Sequence, residues 1–354
     1  MRVLVTGGTG IIGSLTGRKL AERGHEVRLF DARPNADALA GADEAIDLVR
    51  GDVLSSGQLE DAARDVDVVV HLAYSLGVDT SLRPYPATTL NVQGTANVLE
   101  AARLVGARRV VLASSVAIYG SDQHYDTSQL PLTEDAATHL AGGMALYGAG
   151  KLYLEQLARA YRETHGLLAL GLRPSPVYGP GGVRGVSGWL AELVEKPVAG
   201  EPVSLDHGDA RISLVYVDDV AEQLVRLTEL PATALQDRWF YNTGGDATTI
   251  RELAEIVRRL VPGAVIEVTA SGEPDVAGLP SQVSGKALAE LIGYERRFGL
   301  EQGLQAHVDA VRARGCRPGS RPAGPDRAAR SPGTVHGGRH RRRPGRGADH
   351  GLLR

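Results

Sequence analysis

The chain begins with Val3-Leu4-Val5-Thr6-Gly7-Gly8-Thr9-Gly10-Ile11-Ile12-Gly13, a short apolar run that breaks into glycines. Apolar residues near helical spacing resume over residues 14–23, so the pattern predicts a strand, a tight turn and a helix. Glycines in such a turn let the backbone bend sharply, let a phosphate approach without a Cβ, and let the helix pack on the strand. The stretch therefore predicts a phosphate site at a helix N-terminus, although an ordinary glycine turn is the alternative.

A second predicted strand, over residues 26–30, ends at Asp31, 18 residues after Gly13. A carboxylate at that strand tip can accept hydrogen bonds from both ribose hydroxyls of an adenosine, and it would repel a 2′-phosphate. The sequence therefore favours NAD over NADP. Arg33 leaves NADP as the alternative, because an arginine can accommodate the additional phosphate.

Apolar runs rich in β-branched residues predict three further strands, over 46–53, 67–73 and 109–115. Helical patterns lie between them, the longest over residues 91–103. Strands that alternate with helices five times in this way predict βαβ units with right-handed crossovers. The expected fold class is α/β, with a Rossmann-type doubly wound parallel sheet.

Ligands of such sheets bind outside the carboxyl ends of the strands. The residues that fall at those ends are Gly7, Asp31, Asp52, Ala73 and Ser115. They are predicted to share one site, with an ordinary loop position as the alternative for Asp52. His71 is interpreted as a packed histidine at a strand end, because no acid, cysteine or second histidine is spaced to partner it.

The pentad Tyr147-Gly148-Ala149-Gly150-Lys151 places a phenol and an ammonium four residues apart, ahead of a helix over 152–164. Positions four apart on a helix share a face, so both groups can point into one cavity. A phenol, with a pKa of about 10, is a poor base at neutral pH, but a neighbouring lysine cation favours the phenolate. Ser115 would hydrogen-bond the same substrate oxygen. The alternative is an exposed helix face, which two glycines disfavour by up to about 1 kcal/mol each.

Composition bounds the class of protein. The 354 residues suffice for one large α/β unit or two domains. The single cysteine, Cys316, excludes an intrachain disulfide and offers no metal cluster, so no metal site is predicted. The sequence contains no apolar run of about 18 residues, so no membrane-spanning helix is predicted. The N-terminus shows no basic region followed by an apolar one, and a cytoplasmic location is expected.

Charge is unevenly distributed along the chain. Residues 313–354 contain eleven arginines and two aspartates, which give a local charge of +9. Because the whole chain has a net charge of −3, residues 1–312 carry a charge of −12. An acidic body argues against nucleic acid as its main partner. The segment 313–354 is rich in Arg, Pro and Gly and is predicted to be a disordered basic tail. It is interpreted as a solvated appendage, with an arm for nucleic acid or anionic surfaces as the alternative.

Several short motifs, in this order, resemble those of one enzyme family. They are Thr6–Gly13, Gly51–Val53, His71–Ala73, Asn91–Thr95, Ser114–Ser115, Tyr119–Gly120, Tyr147 with Lys151, Leu172–Pro174, Tyr178–Gly181, Val217–Ala221 and Tyr241–Gly245. From residue 1 to about 312 the chain resembles the extended short-chain dehydrogenase/reductases, specifically the NAD-dependent epimerase/dehydratase family, whose members act mainly on nucleotide sugars.

The resemblance implies how the chain is divided and which residues act. It implies an NAD-binding Rossmann domain over 1–172 that a late strand near 239–242 completes, and a smaller, interleaved, mainly substrate-binding domain over 173–312. Catalysis falls to Ser115, Tyr147 and Lys151, and a homodimer is expected. The predicted cofactor contacts are Gly7, Thr9, Gly10, Ile11, Ile12, Asp31, Arg33, Asp52, Val53, Leu72, Ala73, Asn91, Tyr147, Lys151 and Pro174.

The substrate side departs from the family pattern. Val116 and Ala117 replace the acid pair of family dehydratases, so a 4,6-dehydratase is not expected. Pro176 replaces an asparagine that relatives use to hold a nucleotide diphosphate. Arg211 matches a diphosphate-binding arginine, with a surface ion pair as the alternative. The predicted substrate contacts are Tyr74, Ser75, Ser115 and Arg211.

The sequence thus predicts an NAD-dependent epimerase or ketoreductase that acts on a secondary alcohol of a nucleotide sugar. Pro176 suggests an alternative, an NAD-dependent dehydrogenase of a small hydroxy compound that is not a nucleotide. A non-catalytic NAD-binding protein is the third alternative, against which the presence of Ser115, Tyr147 and Lys151 argues.

Overall fold

The computed structural model describes residues 1–35, 45–140, 142–181, 188–235, 237–270 and 275–315. The strands in these residues are β1 (Arg2–Thr6), β2 (Glu26–Asp31), β3 (Ile46–Arg50), β4 (Val68–His71), β5 (Arg109–Ala113), β6 (Leu168–Arg173), β7 (Val177–Tyr178), β8 (Val203–Leu205), β9 (Arg211–Tyr216), β10 (Phe240–Asn242), β11 (Asp246–Thr249) and β12 (Ile266–Val268). The helices are α1 (Ile11–Glu22), α2 (Ser56–Ala63), α3 (Gly77–Leu82), α4 (Pro84–Thr88), α5 (Gly94–Leu104), α6 (Ala145–His165), α7 (Gly188–Val198), α8 (Val217–Glu229), α9 (Ile250–Leu260), α10 (Lys286–Ile292) and α11 (Leu300–Gly315).

The main sheet has seven strands in the order β10-β6-β5-β4-β1-β2-β3. All six of its strand pairs are parallel. The strand order reverses between β1 and β4, and ligands of doubly wound sheets bind in the crevice at such a reversal. The predicted α/β class with a doubly wound parallel sheet is confirmed.

The main sheet is buried on both faces because its strands are almost wholly apolar. In β1, Val3 and Val5 face the apolar layer that includes Leu20 of α1, whereas Leu4 faces the layer that includes Leu99 of α5. Alternation of this kind follows from the period of two in a strand, and apolar residues at every position suit a sheet that is covered on both sides. Both layers hold the strand ends, and therefore the site, in fixed positions.

The smaller part of the fold is interleaved with the main sheet. β11, β9 and β7 form a three-stranded sheet, and β12 pairs with β8. Between these elements the chain returns to the main sheet, where β10 pairs with β6. The late strand therefore starts at Phe240, one residue later than its predicted start.

Several boundaries differ from the prediction. β3 ends at Arg50, so Asp52 and Val53 lie in a turn, and β5 ends at Ala113, so Ser115 follows the strand. The helix predicted over 91–103 is a π-helical turn, Thr89–Gln93, that continues as α5. The predicted tail begins inside α11, which extends to Gly315, and the rest of the tail lies outside the described residues. Among the described helices, none combines the length and the apolar composition that crossing a membrane requires.

Candidate active site

The glycine turn joins β1 to α1 in a tightly packed geometry. Gly7 has φ +66°, a left-handed conformation that favours glycine. A Cβ on Gly13 would lie 2.3 Å from the Gly7 carbonyl oxygen, so the helix can approach the turn only because residue 13 is glycine. Gly10 caps α1 without a side-chain hydrogen bond, and the first turn of α1 contains no acidic residue. The N-terminus of α1 is thus suited to an anion such as a pyrophosphate.

Asp31 lies at the end of β2 and faces the glycine turn. Its Oδ2 accepts hydrogen bonds from the Thr9 backbone N–H at 3.1 Å and from the Thr9 hydroxyl at 2.7 Å, and its Oδ1 accepts one from the backbone N–H of Arg33. The structure therefore brings Asp31 to the turn, and the Arg33 side chain is exposed beside it. Asp52 is also exposed, and its Oδ1 accepts from the Leu54 N–H within its own loop.

The segment after β4 is held in place by hydrogen bonds to the Asn91 side chain. Asn91, which is 4% exposed, accepts a hydrogen bond from the Ser75 N–H at 2.7 Å and donates one to the Ser75 carbonyl at 3.1 Å. In this structure its amide therefore fixes the loop that carries Leu72, Ala73 and Tyr74. The backbone of Ala73 packs on the glycine turn, because a Cβ on Gly7 would lie 2.8 Å from the Ala73 nitrogen.

His71 is a structural residue, as its position at a strand end suggests. Its Nδ1 lies 2.7 Å from the Thr6 hydroxyl and its Nε2 lies 3.1 Å from the Thr95 hydroxyl. Burial, with a smaller contribution from the charge of Lys151, lowers the pKa of His71 to about 3. The imidazole is therefore neutral at working pH, when it can donate through one ring nitrogen and accept through the other.

The three predicted catalytic side chains converge beyond β5. Tyr147 and Lys151 both lie on the buried face of α6, and they are 8% and 2% exposed. Ser115, at 9% exposure, caps the short 3-10 turn Val116–Ile118, where its hydroxyl accepts from the Ala117 N–H. The Ser115 side chain opposes the rise that burial causes in the Tyr147 pKa, which indicates that the two side chains are neighbours. The Lys151 ammonium donates to the Ala113 carbonyl at 2.7 Å and lies 5.6 Å from the centre of the Tyr147 ring.

The glycines between Tyr147 and Lys151 have a steric role. A Cβ on Gly148 would lie 2.6 Å from the Ala117 carbonyl oxygen, and a Cβ on Gly150 would lie 2.8 Å from the Tyr74 hydroxyl. The two glycines, which disfavour an ordinary exposed helix face, therefore let α6 approach the segments that carry Ala117 and Tyr74 closely.

Burial sets the acid–base state of the pair. Desolvation raises the pKa of Tyr147 to about 12, and the interaction with the Ser115 side chain opposes that rise. Desolvation also lowers the pKa of Lys151 to about 7, while the negative charge of Glu155 opposes that fall. The phenol is thus protonated at neutral pH, and the ammonium loses its proton near neutrality.

Sequence reasoning missed Glu155, which lies one helical turn beyond Lys151. Its carboxylate accepts two hydrogen bonds from Arg173, at 2.8 and 2.7 Å, and one from the Ser114 hydroxyl at 2.5 Å. A buried carboxylate requires such partners to remain charged. The spacing of four residues between Lys151 and Glu155 was the available signal.

Sequence reasoning also missed Leu279, which packs against Tyr147. Tyr147 belongs to a small apolar cluster with Ala117, Met144 and Leu279, and Leu279 lies 132 positions later in the chain. We call the segment 275–284 the strap. Its Ser281 hydroxyl donates to Asp122 at 2.5 Å, and its Gln282 carbonyl accepts from the Leu132 N–H at 2.9 Å.

The strap also reaches Arg211. Asp275 forms a parallel bridge with Arg211, whose carbonyl accepts from the Val276 N–H at 3.2 Å. Arg211 begins β9 and is exposed, and no hydrogen bond of its guanidinium is recorded among the described residues. The strap thus connects the Arg211 backbone, through Val276, with Tyr147, through Leu279.

The structure therefore brings most of the predicted residues to one edge of the main sheet. Gly7, Thr9, Asp31 and Ala73 meet at the glycine turn, and Ser115, Tyr147 and Lys151 meet beyond β5. Pro174 adjoins the second group, because its carbonyl accepts from the Val116 N–H at 3.2 Å. Asp52 lies in the turn after β3, where its Oδ1 accepts from the Leu54 N–H. Their roles in binding and catalysis stay predictions.

Comparison with known proteins gives consistent matches. A model of the NAD dependent epimerase/dehydratase family matches residues 3–244. A UDP-glucose 4-epimerase from Mycolicibacterium smegmatis is 32% identical over 333 residues, which cover 88% of this chain and 99% of that protein.

Among solved structures, the UDP-glucose 4-epimerase of Thermus thermophilus in complex with NAD is 29% identical, with a TM-score of 0.75 over 88% of this chain and 99% of that chain. An L-threonine dehydrogenase from Cupriavidus necator in its holo form is 26% identical, with a TM-score of 0.72 over 88% of this chain and 100% of that chain.

Proposed function

Because this chain belongs to the NAD-dependent epimerase/dehydratase family, we propose that it is a nucleotide-sugar epimerase or ketoreductase that acts on a secondary alcohol through Tyr147. Membership confirms the predicted family, its extended short-chain dehydrogenase/reductase class of enzymes, and NAD as the cofactor. The observation that carries the proposal is the convergence of Ser115, Tyr147 and Lys151 at the sheet edge that also carries the glycine turn.

The residues at this edge fit a dinucleotide. The N-terminus of α1, which has no side-chain cap, would hold the pyrophosphate, Asp31 would accept from the adenosine ribose, and Lys151 would donate to the ribose beside the nicotinamide. When bound, NAD supplies a nicotinamide ring that exchanges a hydride with the substrate carbon.

Tyr147 moves the proton of the reacting hydroxyl. Its buried phenol, with a pKa of about 12, is too weak an acid to be ionised at neutral pH without help. The Lys151 ammonium favours the phenolate by its charge, and Ser115 stabilises the negative charge that develops on the substrate oxygen. Lys151 can act in this way only while protonated, and Glu155 supports that state.

A specific observation favours a second candidate, a dehydrogenase of a small hydroxy compound. Pro176 offers neither an N–H nor an amide where relatives hold a nucleotide diphosphate. The similarity to an L-threonine dehydrogenase shows that proteins with related sequences act on such compounds. Arg211 is the feature that supports the nucleotide sugar instead, because a guanidinium suits phosphate. A non-catalytic protein is disfavoured by the three catalytic side chains.

Two measurements on the purified full-length chain separate these functions. An epimerase keeps bound NAD and converts UDP- or dTDP-sugars without added cofactor, because its NAD is regenerated in each cycle. A dehydrogenase produces net NADH from a small hydroxy compound and requires added NAD. NAD binding without turnover on any of these substrates would support the non-catalytic protein.

We also infer that the chain forms a homodimer through α5 and α6, as the resemblance implies. Leu146 and Tyr153 of α6 are 44% and 50% exposed, and Leu104 of α5 is 54% exposed. Large apolar side chains exposed on helix faces are typical of interfaces. Light scattering of the wild type and of Tyr153→Glu tests this, with a monomeric wild type as the contrary result. A cytoplasmic location stays a prediction.

A further inference from the structure

Tyr74 covers Lys151. The centre of its ring lies 3.3 Å from the Lys151 Nζ, and the ring stands edge-on to Tyr147 at 5.9 Å and 87°. A cation over an aromatic face is attracted to it, most strongly where water is excluded, and Lys151 is only 2% exposed. With the Ala113 carbonyl on Nζ as well, the ring occupies space beside the ammonium that a hydrogen-bonding ligand would need.

The hydroxyl of Tyr74 is unsatisfied in this position. It is buried and has no hydrogen-bond partner among the described residues. Glycine at residue 150 leaves room for it, since a Cβ there would lie 2.8 Å from the hydroxyl oxygen. A buried polar group without a partner opposes the arrangement that contains it. The covered state is therefore held by the ring and opposed by the hydroxyl.

The backbone beside Tyr74 is fixed, because Asn91 holds both the N–H and the carbonyl of Ser75. A change of position is thus confined to the side chain. We propose that Tyr74 is a displaceable cover on Lys151, which the ribose hydroxyls of the dinucleotide expel when they hydrogen-bond the ammonium. The inference rests on the proposed use of Lys151 in NAD binding, but it does not depend on the identity of the substrate.

Two substitutions at this position are expected to act in opposite directions. Tyr74→Phe keeps the ring and removes the unsatisfied hydroxyl, which stabilises the covered state. NADH affinity should fall about fivefold or more, with a melting temperature equal to or above that of the wild type. Tyr74→Leu removes the cover, so NADH affinity should rise. Fluorescence titration with NADH measures both, and Tyr85→Phe and Tyr85→Leu, in α4, where the side chain is 84% exposed, are the matched controls.

Each contrary result has a distinct meaning. Weaker NADH binding by both Tyr74 variants would show that the ring supports Lys151. Unchanged binding by both would show that the ring neither supports nor covers Lys151. Either result overturns the proposal that Tyr74 is a displaceable cover. A lower melting temperature for Tyr74→Phe would show that the hydroxyl is paired, with the same consequence. Opposite shifts in a protein that converts no nucleotide sugar would retain the cover and reject the proposed substrate. A wild type that binds no NADH would overturn both.

Discussion

The glycine turn and the surroundings of Tyr147 lie at the same edge of one sheet, but they are built differently. The turn is made mainly of backbone, from residues within the first 31 positions, and its fit depends on where a Cβ is missing. The surroundings of Tyr147 are made of side chains from α6, from the loop after β4 and from the strap. A backbone site suits a constant ligand such as a dinucleotide, whereas a side-chain site can change with the substrate.

The largest effect is expected on the side-chain half. Tyr147→Phe keeps the ring and removes the proton-transfer group, so kcat should fall about 10²- to 10⁴-fold while NADH affinity stays close to that of the wild type. Steady-state kinetics on whichever substrate the wild type converts, with a parallel NADH titration, measure both. Tyr85→Phe, in α4, where the side chain is 84% exposed, should change neither. Full turnover by Tyr147→Phe would contradict the mechanism.

The backbone half is tested by a single methyl group. In Gly13→Ala the new Cβ would lie 2.3 Å from the Gly7 carbonyl oxygen and 3.0 Å from the Gly8 Cα, and backbone atoms cannot yield cheaply. The turn must shift, so we expect NADH affinity to fall at least about tenfold and the melting temperature to drop. Gly57→Ala in α2, where nothing lies within 4 Å, is the control and should keep the wild-type NADH affinity, with a melting temperature equal to or above that of the wild type. Wild-type affinity in Gly13→Ala would show that the turn does not bind the cofactor.

A smaller effect is expected where the two halves meet, at Lys151. Its pKa of about 7 is lowered by burial and supported by Glu155, so Glu155→Gln should lower it further. The ammonium then loses its proton at a lower pH. NADH affinity should decline as the pH rises through this pKa, and the decline should begin at a lower pH in Glu155→Gln.

Titrations between pH 5.5 and 8.5 measure this shift. Glu163→Gln, an exposed position on the same helix that pairs with Arg159, is the control. A decline at the same pH in both variants would show that Glu155 does not act on Lys151.

The smallest effect concerns stability. His71 has a pKa of about 3 in the fold and a usual value of 6.5, so between these values the unfolded chain binds the additional proton. The stability associated with neutral His71 is therefore lost as the pH falls from 6.5 towards 3. His71→Gln should lose less melting temperature over this range than the wild type, and His165→Gln, which is exposed, should behave like the wild type. An equal loss in His71→Gln would show that another group dominates the acid sensitivity.

The same contrast explains what the sequence could predict. The glycine turn, Asp31 and the Tyr147–Lys151 spacing are local patterns at the ends of predicted strands or on one helix, so position along the chain determines position in the fold. Leu279 could not be placed in this way, because a loop tens of residues from any motif brings it to Tyr147. The sequence predicts that Tyr74 lies near the substrate, but its contact with Lys151 depends on a side-chain torsion and on Gly150.

The position of β10 has a consequence for how the chain is synthesised. β6 is complete at Arg173, but its outer neighbour begins only at Phe240. Until that later segment leaves the ribosome, the nascent polypeptide exposes one unpaired rim of β6, and such rims recruit other chains. A gene truncated between these two strands should therefore yield aggregates, whereas fragments co-expressed from a cut after Asn242 would retain the whole seven-stranded layer.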